Sequence, residues 1–114
     1  MISVVKRDGE IAEFSLNKIT EAIKKAFRAT GKEYNNEILE LLSLRVTSDF
    51  QSKLENGNIS VEQIQDSVEH VLEQTGYTDV AKAYILYRKQ REKIRNMKNT
   101  ILDYKDVVNS YVKV

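Results

Sequence analysis

The dipeptide Asp8-Gly9 constrains the fold of this chain more than any other feature, because strand-forming residues flank it on both sides within residues 2–14. A tight turn between antiparallel strands needs positive φ, which glycine adopts without steric cost. The sequence therefore predicts a β-hairpin. Its register stays open, because both strand faces carry apolar groups. A two-residue turn places Lys6 opposite Ile11, and a three-residue turn places Arg7 there.

Helical periodicity dominates the rest of the chain, where apolar residues recur at three- and four-residue steps and no proline interrupts them. The first helix is predicted over about 16–30, between an N-cap at Ser15 and a stop at Gly31. The second is predicted over about 36–54 and ends at Asn56-Gly57-Asn58. The apolar stripe of the second helix comprises Ile38, Leu39, Leu41, Leu42, Val46 and Phe50.

Two further helices complete the predicted fold. The third begins at Ser60, which forms a capping box with Gln63, and it stops at Gly76. The fourth starts near Asp79 and continues past Arg91. Short loops between consecutive helices favour antiparallel packing, and a lone hairpin must pack on such a bundle or gain a strand. The predicted fold class is α+β, with an N-terminal β-hairpin capping a four-helix bundle.

Composition excludes several kinds of chemistry. The 114 residues include no cysteine and one histidine, which rules out disulfides, thiol catalysis and a histidine-rich metal cluster. The sequence contains no glycine-rich phosphate loop and no carboxylate with a histidine or cysteine partner, so no catalytic residue is predicted. No apolar run approaches the roughly 20 residues of a membrane helix, and no signal-peptide pattern opens the chain. Both observations favour the cytoplasm.

The net charge is only +1, but the charges are unevenly placed. Residues 32–79 hold ten acidic and three basic residues, whereas residues 82–105 hold eight basic and two acidic ones. This asymmetry indicates either an anionic partner or two helices that attract each other, and the pattern does not separate them. Tyrosines among the cations of the fourth helix also permit nucleic-acid binding, which the near-neutral total and the acidic middle disfavour.

Three cations gather where the hairpin meets the first helix: Lys6, Arg7 and Lys18. Free N–H groups and the helix dipole attract anions to a helix N-terminus, and a bound phosphate would offset the unfavourable position of Lys18 there. The alternative is a solvated turn without a ligand. Adjacent strand residues point to opposite faces. Lys6 and Arg7 therefore reach one triphosphate only if the tip twists or bulges, or if one of them contacts it from the rim.

Three stretches carry a resemblance to a known family, and they read Val4-Val5-Lys6-Arg7-Asp8-Gly9, Phe14-Ser15-Leu16-Asn17-Lys18-Ile19 and Ala22-Ile23. They resemble the ATP-cone, the small N-terminal regulatory domain of ribonucleotide reductases, which also occurs in a bacterial repressor of their genes. The resemblance extends to about residue 95, so residues 1–95 are interpreted as a nucleotide-binding regulatory domain. Residues 96–114 are interpreted as a linker or helix leading to a catalytic domain outside this chain. Their Asp-Tyr-hydrophobic character resembles the anaerobic, glycyl-radical class of reductase.

The resemblance implies a nucleotide site between the hairpin and the helices. Within it, Val61 and Gln65 line the adenine pocket, where several family members carry a histidine near the position of Gln65. For the apolar members of the site, packing in the core is the alternative role. For the basic members on the fourth helix, the alternative is a solvated face. The implied site residues are Val5, Lys6, Arg7, Phe14, Ser15, Lys18, Ile19, Val61, Gln65, Arg88 and Arg91.

The function that the resemblance implies is allosteric control of a ribonucleotide reductase by ATP and dATP, within deoxyribonucleotide biosynthesis and DNA replication. Mg²⁺ bridging the phosphates is expected, because three clustered phosphates exceed what two or three cations neutralise. The expected partners are adenine nucleotides, the catalytic domain of the parent reductase and further copies of the chain in a ligand-dependent homo-oligomer. By itself the chain is expected to catalyse nothing.

Two other functions remain as alternatives. One is the ATP-cone of a nucleotide-sensing repressor, which needs a zinc ribbon ahead of the cone, whereas this chain opens with the hairpin and has no cysteine. The other is a helical module that binds nucleic acid or protein.

Overall fold

The computed structural model describes the backbone of residues 2–112 and the side chains of residues 2–98. A three-stranded sheet and four helices form the α+β fold that the sequence predicts. The strands are β1 (Ser3–Val5), β2 (Ile11–Glu13) and β3 (Asn58–Ser60). The helices are α1 (Leu16–Thr30), α2 (Asn36–Asp49), α3 (Val61–Gln74) and α4 (Thr78–Val112), with a 3₁₀ turn at Phe50–Lys53.

The hairpin is confirmed, but both registers considered from the sequence are wrong. Val5 lies opposite Ile11, so the turn consists of three residues, Arg7-Asp8-Gly9. The Lys6 N–H donates to the Glu10 carbonyl at 2.8 Å and closes the loop. Gly9 has φ 87°, which explains the glycine. The Asp8 carboxylate accepts the Glu10 N–H at 3.0 Å and stabilises this three-residue turn.

The hairpin gains a third strand, which the sequence analysis did not place. β1 lies at the centre of the sheet, antiparallel to β2 and parallel to β3, with Val4 beside Ile59. Asn56 and Gly57 both have positive φ and form a tight turn ahead of β3 instead of directly ending a helix. Helix α2 ends at Asp49, earlier than the predicted residue 54, and the 3₁₀ turn Phe50–Lys53 follows it. Because Ile59 is only 1% exposed, β3 anchors the sheet to the core.

The helices pack around one apolar core, with α1 against α2 and α4, and α3 against the same two helices. The predicted apolar stripe of α2 is wrong at Leu41, which is 55% exposed. Ser43 is buried in the interior instead, and its hydroxyl donates to the Leu39 carbonyl at 2.8 Å. The buried apolar side chains are Ile19, Ile23, Ala26, Phe27, Leu39, Leu42, Val46, Phe50, Ile59, Val68, Val71, Leu72, Val80, Ala81 and Tyr84.

The helix ends follow the predicted capping residues with one difference. The capping box at the start of α3 is complete, because Ser60 and Gln63 each accept the other's backbone N–H. Ser15 occupies the N-cap position of α1, yet its side chain makes no capping hydrogen bond. Gly31 ends α1 in the left-handed conformation, as predicted.

Helix α4 continues without a break through the segment interpreted as a linker or helix, residues 96–114, as far as Val112. The side chains from residue 99 onward, which carry the Asp-Tyr-hydrophobic pattern, lie outside the described residues. Within the part of the chain that the structure describes, no helix is long and apolar enough to cross a membrane.

Candidate functional site

The hairpin and the N-terminal turns of α1 and α3 enclose a small cavity of about 170 Å³, here called the apolar cavity. Val4 and Lys6 line it together because alternate strand residues share one face. Lys18 and Ile19 reach it from the first turn of α1, and Val61 from the first residue of α3. The other lining residues are Ala12, Glu13, Phe14, Ser15 and Ile64. A pocket of this kind, apolar with a few polar groups, suits a flat ring that carries a charged substituent.

Two ammonium groups border this apolar cavity, those of Lys6 and Lys18. Within residues 2–98, neither Lys6 nor Lys18 forms an ion pair or a side-chain hydrogen bond. Lys18 stands in the first turn of α1, where free backbone N–H groups add partial positive charge. The cap hydroxyl of Ser15 is also unused by the helix. The mouth of the cavity therefore offers several donors to an anion.

Arg7 lies beside a second and larger cavity of about 540 Å³, here called the charged cavity. Its Nε pairs with Glu62 Oε1 at 2.8 Å, and its Nη2 donates to Gln65 Oε1 at 3.2 Å. Lys6 lines the apolar cavity instead, so the two adjacent cations of the hairpin border different cavities. Asp8, Glu92, Arg95 and Asn96 also line the charged cavity.

Arg88 joins the charged cavity from α4 and is held by three carboxylates of α3. It contacts Glu62 at 2.6 Å, Asp66 at 2.9 Å and Glu69 at 2.9 Å. The three acids follow a four-residue and then a three-residue step, which places them on one helix face. Glu62 contacts Arg7 as well as Arg88 and so connects the hairpin tip to α4.

These ion pairs shift the ionisation of their members. The hydrogen bond from Arg88 lowers the pKa of Glu62; partial burial opposes the shift, and Arg7 adds to it. Burial by itself lowers the pKa of Arg88, but the hydrogen bonds to Glu62, Asp66 and Glu69 outweigh that effect and raise it. Glu62 is therefore an anion and Arg88 a cation at neutral pH.

The structure divides most of the residues that the resemblance implies between two separate places, and Gln65 does not line the apolar cavity beside Val61. Arg7, Gln65 and Arg88 belong to the ion-pair group next to the charged cavity. Val5 instead lines a third cavity, with Ile59 and neighbouring residues. Arg91 is exposed and lines neither the apolar nor the charged cavity. The implied residues that surround the apolar cavity are Lys6, Phe14, Ser15, Lys18, Ile19 and Val61.

Other lining residues were missed by the sequence analysis. Val4 could have been found, because it lies two positions before Lys6 and so on the same strand face. Ile64 could have been found from its position one turn after Val61. Glu62 carried no such signal, because its partners lie 55 and 26 positions away along the chain. Nucleotide binding by any of these residues stays a prediction.

Comparison with known proteins identifies the family. The ATP cone domain family matches residues 2–93. The chain is 42% identical over 105 residues to a ribonucleoside-diphosphate reductase subunit alpha of Chlamydia pneumoniae, covering 87% of this chain and 10% of that protein. It is 44% identical over 100 residues to a vitamin B12-dependent ribonucleoside-diphosphate reductase of Thermoplasma acidophilum, covering 83% and 12% respectively. An anaerobic ribonucleoside-triphosphate reductase of Haemophilus influenzae is 36% identical over 101 residues, covering 86% and 14%.

The chain therefore belongs to the ATP-cone family. It spans about a tenth of the length of the curated relatives that it matches.

Proposed function

We propose that this chain is a nucleotide-binding regulatory module that senses ATP and dATP for a ribonucleotide reductase. The observation that carries the proposal is the apolar cavity beside Lys6 and Lys18, two cations that form no ion pair within residues 2–98. Membership of the ATP-cone family and relatives that are reductases support it.

In this proposal the adenine ring occupies the apolar cavity, against Val61 and Ile64 of α3. The phosphates extend toward Lys6, Lys18 and the N–H groups at the start of α1, with Arg7 reaching them from the other side of the tip. Residues 2–98 contain no group of three acidic or histidine side chains that could hold a metal. In this proposal Mg²⁺ enters with the nucleotide, bound mainly through the phosphates.

Regulation requires that two ligands differing by one hydroxyl favour different states. Tight binding alone does not shift an equilibrium; only a difference in affinity between the two states does. The module itself is proposed to be non-catalytic, to pass its signal through residues 96–114 to the reductase domain, and to assemble with further copies depending on the ligand. The cytoplasmic location also stays a prediction.

We propose the anaerobic class for the parent reductase, from the Asp-Tyr-hydrophobic character of the closing segment within residues 96–114. The matching relatives include diphosphate, vitamin B12-dependent and anaerobic reductases, so this proposal needs its own test. The full-length protein should reduce nucleoside triphosphates only under anaerobic conditions. Reduction of diphosphates in air would assign the parent to another class.

Isothermal titration calorimetry of this chain tests the proposed function. We expect saturable binding of ATP and dATP with Mg²⁺, weaker binding of adenosine, no binding of a DNA oligomer and no release of phosphate over hours. The variant Lys18→Ala should weaken ATP binding, whereas Lys25→Ala, a matched change on the same helix away from both cavities, should not. Absence of heat with ATP and dATP would remove the proposal. Binding of DNA alone would favour the nucleic-acid module, and steady hydrolysis would contradict the non-catalytic role.

A further inference from the structure

Glu62 stands between the two arginines of the charged cavity. Its Oε1 pairs with Arg7 of the hairpin tip and its Oε2 with Arg88 of α4. The Glu62 side chain is 52% exposed and that of Arg7 is 37% exposed, so solvent and ligands can reach this pair. Arg7, the arginine beside the proposed phosphate site, is thus already paired with the carboxylate of Glu62.

The two arginines depend on Glu62 to very different degrees. Arg88 keeps Asp66 and Glu69 as partners if Glu62 is removed. Arg7 has no other anionic partner within residues 2–98, and the neutral Gln65 amide is its remaining side-chain contact. Releasing Arg7 from Glu62 therefore costs little free energy, because an exposed ion pair is weak. Arg88 keeps its carboxylate partners when the Arg7–Glu62 pair breaks.

We propose that Glu62 is an internal competitor of the nucleotide phosphates, holding Arg7 in the free domain and yielding it when a triphosphate arrives. The proposal rests on the proposed function above. A triphosphate carries more charge than one carboxylate and offers Arg7 a bidentate contact, so the exchange favours the ligand. The cost of breaking the Arg7–Glu62 pair subtracts from the nucleotide affinity. Glu62 thereby sets the concentration at which the domain responds, and binding changes its contact to the hairpin while the contact to α4 remains.

Replacing Glu62 with glutamine tests this directly. Glu62→Gln keeps the shape but removes the charge that holds Arg7, and we expect ATP to bind about three- to fivefold more tightly, the range of one exposed ion pair. Adenosine, which has no phosphate, should bind as it does to the wild type. Inorganic tripolyphosphate should show the same gain as ATP. Glu62→Ala should also tighten ATP binding, and thermal melting checks that both variants fold.

Two controls separate competition for Arg7 from a general loss of negative charge. Glu73→Gln removes one carboxylate from the same helix at a position without an ion pair within residues 2–98, and it should leave the ATP affinity unchanged. In an Arg7→Ala background the Glu62→Gln change should give no gain, because there is no arginine left to release.

The outcomes are distinct. A gain for ATP and tripolyphosphate, none for adenosine, and its loss without Arg7 support the proposal. An unchanged or weaker ATP affinity in Glu62→Gln, a gain shared by Glu73→Gln, or a gain that persists without Arg7 overturns it while leaving the proposed function in place. If neither ATP nor tripolyphosphate binds the wild type or Glu62→Gln, both proposals fail together.

Discussion

Neighbouring residues at the hairpin tip have different surroundings although they are both cations. Lys6 borders the apolar cavity and forms no ion pair with any side chain that the structure describes, whereas Arg7 is paired with Glu62 beside the charged cavity. Lys6 is the last residue before the three-residue turn, and Arg7 is the first residue of that turn. A nucleotide that contacts both side chains would therefore have to reach across the hairpin tip. A substitution of Arg7 is the more specific test of such a contact.

Arg7→Ala should weaken the affinity for ATP by about ten- to a hundredfold, the cost of a charge-assisted contact to phosphate. The melting temperature of the free domain should hardly change, because the lost ion pair with Glu62 is exposed and contributes little. Calorimetry and thermal melting measure the two effects. Arg45→Ala on α2 is the matched control and should change neither. A variant that melts far lower but binds normally would place Arg7 in the fold and outside the site.

Tyr84 gives the domain a predictable response to alkaline pH. Burial raises the pKa of its phenol, and the side chain is only 5% exposed. The folded state then holds this proton more tightly than the unfolded state does. The stability that the protonated phenol contributes is therefore fully present below the unfolded pKa of about 10, and it is lost as the pH rises above that value.

We expect the wild type to lose free energy of unfolding between about pH 9 and pH 11, and Tyr84→Phe to lose less over that interval. Urea unfolding at several pH values measures both slopes. Tyr87→Phe, at an exposed position on the same helix, should keep the wild-type slope. Equal slopes in Tyr84→Phe and the wild type would contradict the role given to Tyr84.

At the scale of elements, the two serines that precede helices differ in what they contribute. Ser60 accepts the Gln63 N–H at 3.1 Å, whereas the side chain of Ser15 caps nothing. Ser60→Ala should lower the free energy of unfolding by about 1 kcal/mol, the usual effect of losing an N-cap. Ser15→Ala should change it by less than about 0.5 kcal/mol. Denaturant unfolding of the two variants compares them, and similar losses would contradict the assignment.

The sequence predicted those elements whose signals are local. Asp8-Gly9 revealed the hairpin, and the capping box at Ser60 revealed the start of α3. The strand β3 was missed because three residues are too few to show alternation, and its partner β1 lies 55 positions earlier. Leu41 was misplaced because an apolar residue beside a helical stripe looks buried even when its helix turns it to solvent.

The candidate site divides in the same way. Lys6 and Lys18 are recognisable from the chain because each follows directly from a local element, a strand end and a helix start. Glu62 is an ordinary surface glutamate until the fold brings Arg7 and Arg88 to it. Spacing along the chain carries no information about such long-range ion pairs.

For the whole molecule, the structure accounts for part of the uneven charge. Glu62, Asp66 and Glu69 of the acidic middle already pair with Arg88 of the basic helix within one chain. This supports attraction between two helices as one reason for the asymmetry. Exposed apolar side chains remain on α2 and α4, and they include Leu41, Leu44, Leu86, Ile94 and Met97.

We predict that dATP raises the fraction of dimer or tetramer above that seen with ATP. The contact should weaken with salt if charged faces carry it, because exposed charges are screened over about 8–10 Å at physiological ionic strength. Sedimentation or light scattering at fixed protein concentration measures the effect, with the ligand-free chain as control. Identical masses in all three samples would place any ligand-dependent assembly outside these 114 residues.

The central position of β1 has a consequence for biosynthesis. A ribosome working at roughly 5–20 residues per second makes β1 several seconds before it makes β3. During that interval the nascent hairpin has neither its parallel neighbour nor the anchor of Ile59, and two short strands alone are barely stable in water. The growing polypeptide therefore completes the three-stranded sheet only after Ser60 has left the exit tunnel.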